Sequence, residues 1–346
     1  MRRQNFAFLF ISIISVLVLS CTKSTKNSAT KQLRQKEVVV YSYDSFIGEW
    51  GPGPQIKNQF ESDTGYTLIF INCGDSVQAF NRAVLEKNNV QADVLIGVDN
   101  YLADKARSSD ILTPYKPKNA DRLIAPEISG SLGNDWLLTP YDYNHFSFVY
   151  DTKSTVPCPA SLEDLTKSVY QKKIILMDPR TSTPGLGFVA WTVAVFGEKY
   201  IDYWKALKPN ILTMAPGWSA GYGLFTNGEA PLVISYATDT AYHVENDKSN
   251  RFAALLFDEG HIRQVEGYGL LKGAPNEKGA KSFMDFMLSD KAQSYLPLTQ
   301  WMYPANKNVT LPDCYKTSAP VPKKTISADP VQVNQAVEKV MQLLAE

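Results

Sequence analysis

Lys172-Lys173-Ile174-Ile175-Leu176-Met177-Asp178-Pro179-Arg180-Thr181-Ser182-Thr183-Pro184-Gly185-Leu186-Gly187 joins an apolar β-type run to a polar turn, and the apolar run 188–196 beyond it predicts a helix. A strand that feeds a helix through such a turn sets hydroxyls and free N–H groups at the helix N-terminus. The partial positive charge there favours an anion or a polar ligand. The turn is not a Walker phosphate loop, because no Gly-Lys-Ser/Thr follows, and its glycines lack the spacing of a dinucleotide fingerprint. An ordinary strand-to-helix turn capped by Ser182 or Thr183 would use the same residue types. What decides is how the unit repeats along the chain.

Residues 38–41 and 66–71 have the pattern of buried strands, separated by a helical stretch over 54–63 that ends at Gly65. Asp75 or Ser76 caps a second helix over 77–87, and residues 93–97 form a third strand. This βαβα rhythm predicts a doubly wound parallel sheet. The long aromatic segment 140–150 is extended and suited to crossing from one lobe to another. A second α/β run follows: a helix opened by Ser161, the strand 174–177, helices across 188–206 and a strand at 232–236. Residues 252–257 and 261–271 are extended again, as a chain crossing back would be, and amphipathic helices cover 279–288 and 331–344. The expected fold is α/β and two-lobed, each lobe a sheet flanked by helices. Residues 37–143 and 262–346 make lobe 1 and residues 144–261 make lobe 2. Ligands in such folds sit at the carboxyl ends of strands, in the cleft between lobes.

The N-terminus sets the compartment. Arg2 and Arg3 precede the uncharged run 6–19, too short to span a hydrocarbon core that needs about 20 residues and suited to a signal peptide. The run closes at Val18-Leu19-Ser20-Cys21, which resembles a lipoprotein signal: residues 1–20 are the signal peptide and Cys21 carries the lipid. Residues 22–36 hold Lys23, Lys26, Lys31, Arg34 and Lys36, no acid and no hydrophobic period, so 21–36 is a lipidated tether. The expected location is the periplasmic space, anchored to a membrane. Without Arg2 and Arg3 the 35 basic residues fall to 33 against 35 acidic ones, a balance that argues against a nucleic-acid partner. Cys73, Cys158 and Cys314 are single and odd in number, so an exported chain could pair two of them but not all three. No zinc-type Cys/His cluster occurs.

Aromatic residues gather at predicted strand ends and loops: Tyr41 and Tyr43, Trp218, Tyr236 and Tyr242, and Trp301. Aromatic-lined clefts favour flat or cationic ligands through stacking and cation–π attraction of roughly 0.5–2 kcal/mol per ring. Trp191 and Trp204 lie in helical runs and are read as core. Five stretches now carry a resemblance. They are Tyr41-Ser42-Tyr43-Asp44-Ser45-Phe46 with Trp50-Gly51-Pro52-Gly53-Pro54; the 178–187 loop; Gly217-Trp218-Ser219 with Tyr222-Gly223-Leu224-Phe225; Ser235-Tyr236 with Ala241-Tyr242-His243; and Trp301-Met302-Tyr303-Pro304. In this order, over residues 38–312, they resemble the periplasmic thiamine-binding proteins of ABC importers.

The resemblance implies a type II-like periplasmic-binding-protein fold that holds thiamine, or its mono- or diphosphate, and delivers it to the transmembrane permease of an importer. It implies a monomer without cofactor, metal or enzymatic activity. The family's ligand contacts fall on Tyr43, Trp218, Tyr236, Tyr242 and Trp301, with Ser182 and Thr183 from the Thr-Ser-Thr-Pro-Gly loop. Its Asp-Gly pair falls on Asp75 and Ser76, serine standing here in place of glycine. Chemically, aromatic walls suit the thiazolium cation, Asp75 suits the aminopyrimidine, and the 178–187 loop suits the hydroxyethyl arm and any phosphate on it.

Two other classes compete. An enzyme would have His145, His243 and His261 as its only imidazole bases, with Asp258 and Glu259 near the last, and no nucleophile elbow accompanies them. A ferric-ion binder could draw on Tyr236, Tyr242, His243 and Glu245 as hard ligands. A purely structural lipoprotein would not need five loop aromatics and a helix-end hydroxyl loop.

Overall fold

The computed structural model describes residues 34–346. The signal peptide 1–20, Cys21 and the tether up to residue 33 lie outside the described residues. No helix among those described is long and apolar enough to cross a membrane.

Three parallel strands, β1 (Glu37–Ser42), β2 (Thr67–Asn72) and β3 (Val94–Asp99), open the chain, with helices α1 (Gly53–Thr64) and α2 (Ser76–Leu85) between them. Helix α1 stops at Gly65, whose φ of 72° supplies the left-handed C-cap. After the short strand β4 (Leu112–Thr113), the aromatic segment forms the 13-residue strand β5 (Thr139–Asp151). The second α/β run follows: β6 (Ile174–Met177), α3 (Thr183–Phe196), α4 (Tyr200–Leu207), β7 (Ile211–Ala215), α5 (Trp218–Thr226), β8 (Leu232–Tyr236) and α6 (Asp239–Asn246). Then β9 (Phe252–Leu255) and the long return strand β10 (His261–Leu271) lead to α7 (Glu277–Met287), the short strands β11 (Tyr303–Pro304) and β12 (Thr325–Ile326), and the terminal helix α8 (Pro330–Ala345).

The strand order β2-β1-β3-β10-β5-β8-β6-β7 is one curled, mixed sheet. Along this path it is parallel within each α/β run, and off the path the short strand β12 also pairs parallel with β10. On this path the crossing strands β5 and β10 are antiparallel to their neighbours, so the sheet is mixed where the βαβα rhythm alone predicts a parallel one. Strand β5 pairs with β10 through residues 139–145 and with β8 through residues 146–150, so one strand serves both lobes. His261 sits at that crossing, with Nδ1 on the Phe146 carbonyl at 2.8 Å and Nε2 accepting from the Phe257 N–H at 2.7 Å. Both ring nitrogens are thus used as structure. Trp191 and Trp204 are fully buried as expected, and both indole N–H groups are bonded, to Gly260 O and Thr192 Oγ1.

Three local differences have physical reasons. Helix α3 starts at Thr183 and not at 188, because Pro184 is preorganised for a first turn. Its glycines serve close packing: a Cβ at Gly185 would lie 2.3 Å from the Met177 carbonyl oxygen, and one at Gly187 would lie 2.0 Å from the Phe146 ring. Ser161 opens no α-helix. Its Oγ accepts from the Asp164 N–H, and the chain goes on in the 3₁₀ turns Glu163–Thr166 and Ser168–Tyr170, pinned by the Asn210 amide on the Leu165 and Lys167 carbonyls. The terminal helix α8, expected in lobe 1, packs instead on α3 and α4 of the second run. Its buried stripe Val333, Ala336, Val337, Val340 has helical spacing, and the Lys208 Nζ binds the Leu343 carbonyl at 2.9 Å. Cys73, Cys158 and Cys314 all carry free thiols.

Candidate ligand cleft

The loops at the carboxyl ends of the strands enclose a cleft of about 340 Å³ between the lobes. The first lobe gives Tyr43 after β1, Trp50 before α1, and Asp75 and Ser76 at the start of α2. The second gives Thr183 at the start of α3, Trp218 and Tyr222 from α5, Tyr236 at the end of β8, and Asp239 and Tyr242 from α6. Glu266 on β10 and the segment Gln300, Trp301, Met302 complete the wall. Of the residues expected from sequence, Ser182 alone does not face the cleft.

Ser182 turns instead to Asp75. Asp75 caps α2 in a capping box with Gln78. Its Oδ1 accepts from the N–H groups of Ser76 at 2.6 Å and Thr183 at 3.3 Å, and its Oδ2 accepts from the Ser182 hydroxyl at 2.9 Å and the Trp218 N–H at 3.0 Å. The N-termini of α2, α3 and α5 therefore converge on one carboxylate, which fills the anion place that the sequence offered to a ligand. Asp75 spends its oxygens on protein donors from both lobes and leaves none to an aminopyrimidine. Burial pushes its pKa up to about 6, a rise that the bonds from Trp218, Ser182, Thr183 and Ser76 limit. A second bond spans the lobes nearby, from the Ser219 hydroxyl to Asp44 Oδ1 at 2.9 Å.

The aromatic wall is braced ring by ring. Trp218 lies on the first turn of α5, not in a loop, with Nε1 on Ser235 Oγ at 2.8 Å. Its ring stacks on Tyr222 at 4.7 Å and meets Trp50 of the other lobe at 6.0 Å. Tyr236 stacks on Phe146 at 5.3 Å, and Tyr242 stands edge-on to Trp301 at 5.3 Å. Trp301 has a φ of 58°, held because its carbonyl accepts from Asn144 Nδ2 and Thr238 Oγ1. The Tyr43 hydroxyl meets Tyr141 Oη at 2.5 Å and accepts from Gln300 Nε2 at 2.8 Å. Gly97, with a φ of 100°, makes room for both Tyr43 and Ser76. A Cβ there would stand 2.8 Å from the Tyr43 ring and 2.6 Å from Ser76 Oγ.

The electrostatics of the cleft were hidden in the sequence. Asp75, Asp239 and Glu266 line it, and among the described residues no Lys, Arg or His does. Burial raises the Asp239 carboxyl to about 7, offset in part by hydrogen bonds from Ser235 and Tyr236, and its Oδ2 has no partner. Asp239 lies three residues past a strand end, a position that the strand-end rule could have flagged. Glu266 gave no signal, because β10 is buried on both faces and shows no alternation. Trp50 and Tyr222 stood inside the resembling stretches without being assigned to the wall. The ferric set is not assembled: His243 directs Nε2 to Tyr222 Oη at 2.7 Å and Nδ1 to Asp247 at 2.5 Å. Among the described residues no group of three His, Cys, Asp or Glu could hold a metal ion.

A family model described as bacterial extracellular solute-binding protein matches residues 56–325. The chain belongs to that family. This solute-binding protein is 37% identical over 328 residues to the thiamine-binding periplasmic protein of Brucella melitensis, covering 94% of each chain. It is 38% identical over 296 residues to the thiamine-binding periplasmic protein of Escherichia coli, covering 86% of this chain and 88% of the other. A solved structure titled periplasmic thiamin binding protein superposes with a TM-score of 0.83 at 36% identity, covering 90% of this chain and 96% of that one.

Proposed function

We propose that this solute-binding protein captures thiamine in the interlobe cleft and delivers it to the transmembrane permease of an ABC importer. The observation that carries the reading is an aromatic cleft lined by three carboxyl groups and, among the described residues, no basic side chain. A thiazolium cation gains cation–π attraction from such walls, roughly 0.5–2 kcal/mol per ring, and an aminopyrimidine brings the donors that Asp239 Oδ2 and Gln300 Oε1 lack. Tyr43, Ser76, Thr183, Trp218, Tyr236, Tyr242 and Trp301 form the contact surface in this reading, while Asp75 and Ser182 lock the lobes around it. A titration with thiamine should change tryptophan emission saturably, since Trp50, Trp218 and Trp301 all line the cleft. Emission that stays flat through saturating thiamine contradicts the site.

The loop assignment changes the expectation for phosphorylated ligands. Ser182→Ala removes a hydroxyl that serves Asp75, so it should weaken thiamine and thiamine monophosphate alike, by about 1 kcal/mol, the usual value of one hydrogen bond. A loss confined to the monophosphate would return Ser182 to the ligand.

The reading is of a monomeric carrier, not a catalyst. His145 bonds Thr325 Oγ1 at 2.8 Å, and His243 and His261 use both ring nitrogens on the protein. Thiamine monophosphate recovered unhydrolysed after incubation supports this, and its turnover would oppose it. The site of action is the periplasm, with Cys21 as lipid anchor. Wild-type protein should enter the detergent phase of a phase-separation assay and Cys21→Ser the aqueous phase; equal partitioning removes the anchor.

A further inference from the structure

Behind the cleft, Asp142 on β5 and Glu266 on β10 face each other across the antiparallel ladder. Both are buried, Glu266 forming part of the wall and Asp142 lying behind it. Among the described residues neither Asp142 oxygen meets an N–H or O–H donor, while Glu266 receives the Tyr43 hydroxyl at 3.3 Å. The register sets the two side chains directly opposite each other, in the near contact of a cross-strand pair. Two carboxylates are acceptors only, so that contact becomes a bond when one proton lies between them.

The surroundings relieve the charge with tyrosine hydroxyls and, among the described residues, with no cation. Tyr43 after β1, Tyr141 on β5, Tyr236 at the end of β8 and Tyr315 from the C-terminal segment bring hydroxyls, all with pKa values held high. Asp99 on β3 and Asp75 at the start of α2 add like charge, and Asp239 on α6 faces the same cleft. Among the described residues no Lys, Arg or His acts on the pair. Burial first, and repulsion second, holds both carboxyls above their ordinary range.

We propose that Asp142 and Glu266 share one proton while the cleft is empty and release it to solvent when a cationic ligand docks against Glu266, so that ligand capture is proton-linked. The ligand's charge replaces the proton's, and the O–H bond of the pair ionises with its electrons left on the carboxylates. Because the empty protein holds the extra proton, raising the pH favours the bound form, and affinity climbs until the pair is ionised without ligand. The inference rests on the ligand being a cation, as thiamine is.

Calorimetric titration with thiamine at neutral pH, in buffers of different ionisation enthalpy, measures the protons released. The wild type should release up to one, and its affinity should rise by at most about tenfold per unit between about pH 6.5 and 8. Asp142→Asn should abolish the release, since an amide N–H satisfies Glu266 without a proton; if it does not fold, Glu266→Gln makes the same test from the other side. Asp239→Asn should bind more weakly yet still release the proton. Thiamine binding with no proton exchange, or with equal release by wild type and Asp142→Asn, overturns the linkage. Failure to bind thiamine at all would instead remove the cation reading beneath it.

Discussion

Asp75→Ala is expected to weaken thiamine binding by about 2–4 kcal/mol, roughly 30- to 1,000-fold in Kd, although the side chain reaches no ligand atom in this account. Removing the carboxylate strands the Ser182 hydroxyl and the Thr183 and Trp218 N–H groups; a dry donor without a partner costs about 1–3 kcal/mol, and water entering the vacated space rehydrates part of the three. Those donors belong to the second lobe and Asp75 to the first, so the cost falls on the closed molecule and an open one escapes it by hydration. Asp75→Asn keeps one acceptor but turns an amide N–H towards another donor, and should lie between wild type and Asp75→Ala. A plain helix cap predicts otherwise, because Asn caps as well as Asp. Thiamine titrations of the three proteins, with thermal melts to show that each is folded, decide between these; unchanged affinity in Asp75→Asn would leave only the cap.

Trp218→Ala and Trp301→Ala should each weaken thiamine binding by roughly 1–3 kcal/mol, the order expected for a lost stacking surface with its cation–π share. Trp218 is the cleaner test. Its link to Asp75 runs through the backbone N–H, which alanine keeps, so the loss reports the ring together with its bond to Ser235. Trp301→Ala also removes the ring against which Tyr242 packs, and its loss should be the larger of the two. Two variants that bind like wild type would remove the aromatic wall from the account.

Much of this molecule could be read from local pattern. Strands β1, β2, β3, β6 and β8 are short apolar runs bounded by Gly, Pro or polar turns, and periodicity alone finds them. What local pattern does not contain is pairing between distant segments. The antiparallel register that sets Glu266 beside Asp142 joins residues more than a hundred positions apart, and so the carboxyl pair was invisible. Asp75 shows the same limit within one residue: its cap on α2 was legible, whereas its bonds to Ser182, Thr183 and Trp218 depend on how the lobes meet. The stripe of α8 could be read, but not that it lies on α3. In place of the Ser161 helix stand 3₁₀ turns that Asn210, far along the chain, pins through the Leu165 and Lys167 carbonyls.

If the aromatic, acidic cleft is a thiamine site, the purified protein binds thiamine saturably and through that cleft. Isothermal titration of the purified protein, unfolded and refolded to strip any carried ligand, tests it most directly. One saturable thiamine site per chain is expected, with a micromolar or tighter Kd, weakened in Trp218→Ala and Asp75→Ala. Absence of saturable thiamine binding by the refolded wild type would contradict it.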